Sequence, residues 1–136
     1  MADTFQFELV APERLIYSDQ AEMVVVPGSE GEFGVLPGHS PLISAVRPGI
    51  VEVYEYPAIK SKARFFVAGG FAEVTGERCT VLSNEAMPVE EIDKEAARER
   101  LAEAELALRD AQSDAEKAKA EAEIAVVRAM IEASGG

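Results

Sequence analysis

The stretch Gly28-Ser-Glu-Gly-Glu-Phe-Gly-Val-Leu-Pro-Gly-His-Ser-Pro41 is the most heavily punctuated part of this chain. Glycine tolerates positive φ, and proline fixes φ while removing a donor, so a segment this rich in both turns repeatedly. The same punctuation continues on either side of it up to Pro88 and then stops, with no further glycine or proline until Gly135. Two kinds of structure therefore share one chain, with the division expected between residues 1–87 and 88–136.

Working outward from Gly28, the flanking segments carry strand patterns. In Thr4-Phe-Gln-Phe-Glu-Leu9, Phe5, Phe7 and Leu9 alternate with Thr4, Gln6 and Glu8, the period of a half-buried strand. Met23-Val-Val-Val26 and Phe65-Phe-Val67 are unbroken runs, as expected of central strands covered on both faces. Further strands are expected at Leu15–Tyr17, Gly34–Leu36, Pro41–Val46, Ile50–Tyr56, Phe71–Val74 and Thr80–Ser83, divided by turns at Pro27-Gly28, Pro37-Gly38, Pro48-Gly49, Gly69-Gly70 and Gly76. Many short strands with no helical pattern between them predict an antiparallel β-sandwich, since a parallel sheet requires long crossovers.

Beyond Pro88 the composition turns to Ala, Glu, Lys, Arg and Leu, strong helix formers. Ala97, Leu101, Ala104, Leu108 and Ala111 form one apolar stripe, and Ala120, Ile124, Val127 and Ile131 form another. Between them, Ser113 followed by Glu116 has the spacing of a capping box, so the chain is expected to fold back as an antiparallel helical hairpin. A homodimeric coiled coil is the competing arrangement, disfavoured because Ser113 lies midway and both stripes are short. Alanine stripes bury little area, which predicts a weakly held and detachable hairpin.

Charge and cysteine content exclude several function classes. The 136 residues carry 25 acidic and 13 basic side chains, a net charge of −12, which repels phosphate backbones and anionic lipid headgroups. No apolar run approaches the roughly 20 residues that span a bilayer. Neither nucleic acid nor direct membrane insertion is expected. The single cysteine, Cys79, forms no intramolecular disulfide, and the start Met-Ala-Asp-Thr-Phe5 lacks the basic and apolar segments of a signal peptide. A reducing cytoplasm is the expected compartment. Absence of a transit peptide points to a bacterial rather than an organellar origin.

Catalytic patterns do not assemble. His39 is the only histidine and sits in a turn beside Ser40, without the Gly-x-Ser-x-Gly elbow that would make a nucleophile of the serine. Gly28, Gly31 and Gly34 are spaced like a phosphate cradle, but no helix is expected to follow them and Glu30 and Glu32 oppose an anion. No metal-ligand spacing is present, and Cys79 in Cys-Thr-Val-Leu82 reads as a small buried hydrophobe. These readings predict a non-catalytic interaction subunit.

The string from Gly28 to Leu42, with Val46-Arg-Pro-Gly49, Val67-Ala-Gly-Gly70, Glu73-Val74 and Thr80-Val-Leu82, closely resembles the epsilon-subunit family of bacterial F-type ATP synthases along essentially the whole chain. The resemblance implies a rotor part whose sandwich clamps the gamma subunit and rests on the c ring, helping couple proton flow to rotation and ATP synthesis on other subunits. It implies a peripheral location on the cytoplasmic face of the inner membrane. By position, Ser29, Glu30, Gly31, Glu32 and Phe33 resemble the c-ring contact loop, and His39, Ser40 and Pro41 a gamma contact. It also implies that the hairpin regulates hydrolysis, through contacts with the alpha and beta subunits, and that in some members it binds ATP through I/L-D-x-x-R-A. Here Ile92, Asp93 and Ala97 match that motif, while Ala96 replaces the arginine and Arg98 lies roughly 200° around a helix from it. ATP binding is therefore not expected, and no cofactor is assigned. From Met87 to Gly136 there are 13 acidic and 7 basic residues, an excess that opposes docking on an acidic surface and predicts weak or absent braking. Two readings from other classes compete: a free-standing small-ligand-binding β-sandwich with a dimerising coiled coil, and an enzyme using His39 with nearby carboxylates.

Overall fold

The computed structural model describes residues 3–55 and 61–135. The chain divides into two compact units, Met1–Val89 and Glu90–Gly136.

The first unit is all β. Its strands are β1 (Phe5–Ala11), β2 (Arg14–Ala21), β3 (Met23–Gly28), β4 (Gly31–Val35), β5 (Leu42–Val46), β6 (Gly49–Tyr54), β7 (Ala63–Val67), β8 (Gly70–Val74), β9 (Arg78–Leu82) and β10 (Ala86–Pro88). They join in the order β10-β7-β6-β3-β5-β8-β9-β1-β2, with β4 paired to β3. β3 is the corner of the sandwich. Met23–Val25 pair with Tyr54–Glu52 of β6, and Gly28 at its far end pairs with Val46 of β5, carrying the ladder from one layer to the other.

Inward positions of both layers make one core: Val24, Val26, Val35, Val51, Val53, Phe65 and Val67 from the first, and Phe5, Phe7, Leu9, Val46, Ala72, Val74, Cys79 and Val81 from the second. Registers such as Val24↔Val53, Ala72↔Val81 and Leu9↔Val81 stack them in rows, each large side chain contributing about 1.5–3 kcal/mol by leaving water.

Several expectations need adjustment. Pro27-Gly28 continues β3 instead of turning, and the strand expected over Gly34–Leu36 begins earlier, at Gly31. Gly28 is obligatory there, because an added Cβ would lie 2.7 Å from the Gly31 carbonyl and 2.9 Å from the Phe33 ring. β3 is not covered on both faces: Val24 and Val26 are buried while Met23 and Val25 are half-buried, whereas Phe65–Val67 of β7 are buried throughout. The strand expected over Ile50–Tyr56 ends at Tyr54 as β6, and Tyr56 lies outside the described residues. One pairing, β1 with β9, is parallel, and the rest of the ladder is antiparallel. The crossover it requires is supplied by the intervening sandwich itself, so no long linker is needed.

A 3-10 turn at Val89–Glu91 leads into the second unit, which holds α1 (Lys94–Arg109) and α2 (Asp114–Ala133). The two helices pack against each other within one chain, which removes the stripes that a dimerising coiled coil would need. Ala97 and Ala104 are buried on α1, and Ala120, Ile124, Val127, Met130 and Ala133 on α2; Leu101, Leu108 and Ile131, expected in the stripes, are only half-buried, and Ala111 lies past the end of α1. Ser113 caps α2 by accepting the Glu116 N–H at 3.1 Å, and Glu116 Oε1 accepts the Gln112 N–H at 2.8 Å. The reach back falls one residue earlier than in a standard capping box, closing the same turn. Arg100 forks onto Glu123 of the facing helix at 2.9 and 3.0 Å, and Arg128 approaches Glu105 at 3.6 Å.

Candidate functional site

The sequence-derived site residues occupy three separate places. Ser29 and Glu30 are the two-residue tip of the β3–β4 hairpin, between the paired Gly28 and Gly31. The Ser29 N–H donates to the Ala45 carbonyl at 2.9 Å, fastening the tip to the end of β5. Ser29, Glu30, Gly31 and Glu32 are exposed, while Phe33 is half-buried against the core. Phe33 therefore anchors the hairpin and its two carboxylates face water. No helix follows these glycines, so the chain has no phosphate cradle here.

His39, Ser40 and Pro41 lie in the turn that leads into β5. The Gly38 N–H donates to the Gly76 carbonyl at 3.0 Å and the His39 N–H to the Leu36 carbonyl at 3.1 Å, holding the turn against the β8–β9 connection. His39 Nδ1 lies 2.7 Å from the Ser40 carbonyl. A carbonyl only accepts, so Nδ1 is the donor in this contact. The ring is thus bonded to the Ser40 backbone, not to its hydroxyl, and the pair is not arranged as base and nucleophile. The hairpin tip and this turn sit at opposite ends of β5, about 15 Å apart at the rise of an extended strand.

The third place is the start of α1. Asp93 is its N-cap, with Oδ1 accepting the Ala96 N–H at 3.1 Å. Ile92 is half-buried and Ala97 buried. The thiol of Cys79 is buried in the core and pushed up to about 12 by desolvation, which keeps it protonated and inert.

Sequence reasoning missed an exposed apolar row on the sandwich. On the outer face of β5, β8, β9, β1 and β2, the registers align Ala45, Phe71, Leu82, Val10 and Leu15 in one cross-strand row. Phe71 is 60% exposed, Leu82 51%, Leu15 55%, and Ile43 nearby on β5 72%. The available signal was parity: Phe71 shares its face with Glu73, while Ala72 and Val74 point into the core. In the next row Ile43 aligns with the polar Glu73, Thr80, Glu8 and Ser18, and the residues beyond are polar too, with Arg78 Nη1 3.1 Å from Glu8 Oε1 and Gln6 bonded to Ser18 and Gln20. An apolar row bordered by polar ones is the anatomy of a protein contact.

A β-sandwich with such an exposed apolar row, followed by a helical hairpin, has the makings of a protein-contacting module. Residues 4–89 match the model of the ATP synthase delta/epsilon chain β-sandwich domain. The chain is 51% identical over 136 residues to the ATP synthase epsilon chain of Rhodospirillum rubrum, covering 100% of both. It is 49% identical over 130 residues to that of Paramagnetospirillum magneticum, covering 96% of each. Among solved structures, it matches a chain of the Euglena gracilis mitochondrial ATP synthase, determined as OSCP/F1/c-ring, with TM-score 0.78, 26% identity and coverage of 96% and 81%. A chain from the Tetrahymena thermophila mitochondrial ATP synthase central stalk and c ring shares the fold at TM-score 0.67 and 15% identity, covering 97% of each. The chain belongs to the ATP synthase epsilon chain family, the non-catalytic central-stalk subunits of F-type ATP synthases, in which catalysis is carried by other subunits.

Proposed function

We propose that this subunit couples the c ring to the gamma subunit, so that proton flow turns the central stalk and drives ATP synthesis elsewhere in the complex. The observation that carries the reading is the exposed row Phe71, Leu82 and Leu15 with Ile43, surface that the sandwich core leaves uncovered. Gamma is the partner assigned to it, together with the turn His39–Pro41. At the other end of β5, the exposed Glu30 and Glu32 on an anchored hairpin suit a c-ring contact over Ser29–Phe33. Carboxylates there would pair with basic loops and set register more than affinity. Among the described residues no helix is long and apolar enough to cross a membrane. The chain would therefore reach the cytoplasmic face of the bacterial inner membrane through the complex. Size exclusion of the purified chain with and without gamma tests this: co-elution is expected, and independent elution at micromolar concentrations would overturn it.

Residues 88–136 act in this reading as a regulatory element with little braking power, since 13 acidic against 7 basic residues from Met87 onward oppose docking on acidic surfaces of alpha or beta. Deleting everything after residue 87 is expected to leave the ATPase rate of the reassembled enzyme nearly unchanged. A several-fold rise would overturn that part.

A further inference from the structure

The hairpin starts on Glu90-Glu-Ile-Asp-Lys-Glu95, and the chemistry of that start is already committed. Asp93 takes an extended conformation, φ −88° and ψ 105°, its carboxylate accepting the Ala96 N–H at 3.1 Å and its carbonyl the Ala97 N–H at 3.0 Å. The Ala96 N–H, one of the donors at the mouth of the helix that could have met an anion, is therefore taken by the Asp93 side chain, while the Ala97 N–H makes the first ordinary bond of the helix. The position that a nucleotide-binding hairpin fills with arginine is Ala96. Arg98 is exposed on another side of α1, and Arg100 is forked onto Glu123 at 2.9 and 3.0 Å. Lys94 is the only cation between residues 90 and 97, set among Glu90, Glu91, Asp93 and Glu95. A triphosphate brought there would meet carboxylates before it met a donor. The Ala97 side chain is buried and offers no open wall to a base or sugar. The residues present do not fit a nucleotide.

We infer that the hairpin of this chain is uncoupled from ATP: Ile92–Ala97 is a capped helix start, and the folding of the hairpin does not follow nucleotide concentration. Any regulation it exerts is then set by its own caps and by the Arg100–Glu123 fork, and does not sense the energy state of the cell. The inference does not depend on the gamma and c-ring docking reading.

The test uses the full-length chain titrated with ATP, with and without Mg²⁺, to about 5 mM, a range that captures any Kd near 1 mM. Amide NMR shifts of α1 and hydrogen exchange of its first turn are the readouts, with Asp93→Ala and Asp93→Asn as variants. No saturable shift is expected. Exchange of the first turn should quicken several-fold in Asp93→Ala and stay near wild type in Asp93→Asn, because asparagine caps as well as aspartate. Saturable binding with a Kd below about 1 mM would overturn the inference, and so would unchanged exchange in Asp93→Ala. Gamma association measured on the same samples reports on docking separately: its loss would overturn the docking reading and leave this inference standing.

Discussion

Lys62 Nζ lies 2.9 Å from Asp19 Oδ2, tying the start of β7 to the edge strand β2 across 43 residues of chain. Glu55 Oε2 stands on the same ammonium at 3.5 Å, and a few residues along the two strands the Tyr17 ring packs on Phe65 with centroids 4.9 Å apart. A polar tie and an aromatic contact thus hold together strands from opposite ends of the ladder order.

The tie gives stability a defined pH dependence. The Lys62 hydrogen bond, with the Gln20 N–H behind it, holds the Asp19 carboxyl below the usual carboxylate range, and the Asp19 hydrogen bond raises Lys62 above its ordinary value. A depressed carboxylate stabilises the fold above its unfolded value near 4 and loses that contribution as pH falls through the folded value. A raised lysine stabilises below about 10.5 and loses its contribution as pH rises beyond it. Asp19→Asn should therefore melt slightly lower than wild type at pH 7, with the two curves converging below about pH 4. A constant gap across the acid limb, read by circular dichroism, would show that the pair contributes nothing. Because the Asp19 side chain is half exposed, the effect belongs to the small class of surface ion pairs.

Phe7 and Phe71 form a matched contrast. Phe7 is fully buried in the core, so Phe7→Ala should cost about 3–5 kcal/mol in urea unfolding. Phe71 is outward and exposed, so Phe71→Ala should change stability by no more than about 0.5 kcal/mol. The same substitution should weaken gamma association about tenfold or more if the row is the docking surface. Wild-type affinity in a folded Phe71→Ala variant would remove the row from the interface.

Nine of the ten strands and the helical stretch beyond Pro88 were legible because they rest on local chemistry: period-2 alternation at Phe5, Phe7 and Leu9, and the disappearance of glycine and proline. Ser113 was legible as a cap for the same reason. The parallel partnership of β1 with β9 was not, since no local signal distinguishes which distant strand completes a ladder. Nor was β10, whose three residues are too short for a period and include Pro88, a residue tolerated because the strand lies at the edge of the order. Of the site, the motif positions were readable but their arrangement was not. That Glu30 and His39 sit at opposite ends of β5 follows from the hairpin root pairing at Gly28 with Val46, a tertiary fact. The apolar row was hidden because its members come from five strands and meet only through register.

Cys79 offers a probe of opening. Its thiol is fully buried and held protonated with a value of about 12, so disulfide exchange with an aromatic disulfide reagent at pH 8 should be negligible while the fold is intact. Reaction should follow the rate or population of unfolding and accelerate in Phe7→Ala. Rapid stoichiometric labelling of the native protein would contradict the burial. Cys79→Ser should destabilise more than Cys79→Ala, because a hydroxyl among Phe7, Val74 and Val81 lacks the hydrogen bonding it has in water.

The fully buried residues of α1 are both alanines, so caps and ion pairs weigh more in the hairpin than the same contacts would in the sandwich. Ser113→Ala removes the acceptor for the Glu116 N–H and should cost about 1 kcal/mol of α2 stability, read as faster exchange of the first-turn amides of α2. Arg100 is 33% and Glu123 41% exposed in this fork, so a double-mutant cycle with Arg100→Ala and Glu123→Ala should give a coupling of about 0.2–1 kcal/mol, shrinking as salt is raised. The charge-swapped pair Arg100→Glu with Glu123→Arg should recover most of that coupling, because the helices run antiparallel at the crossing and present the two positions to each other from either side. A cycle giving zero coupling at low salt would mean that apolar packing through Ile124, Val127 and Met130, and not this ion pair, keeps the helices together.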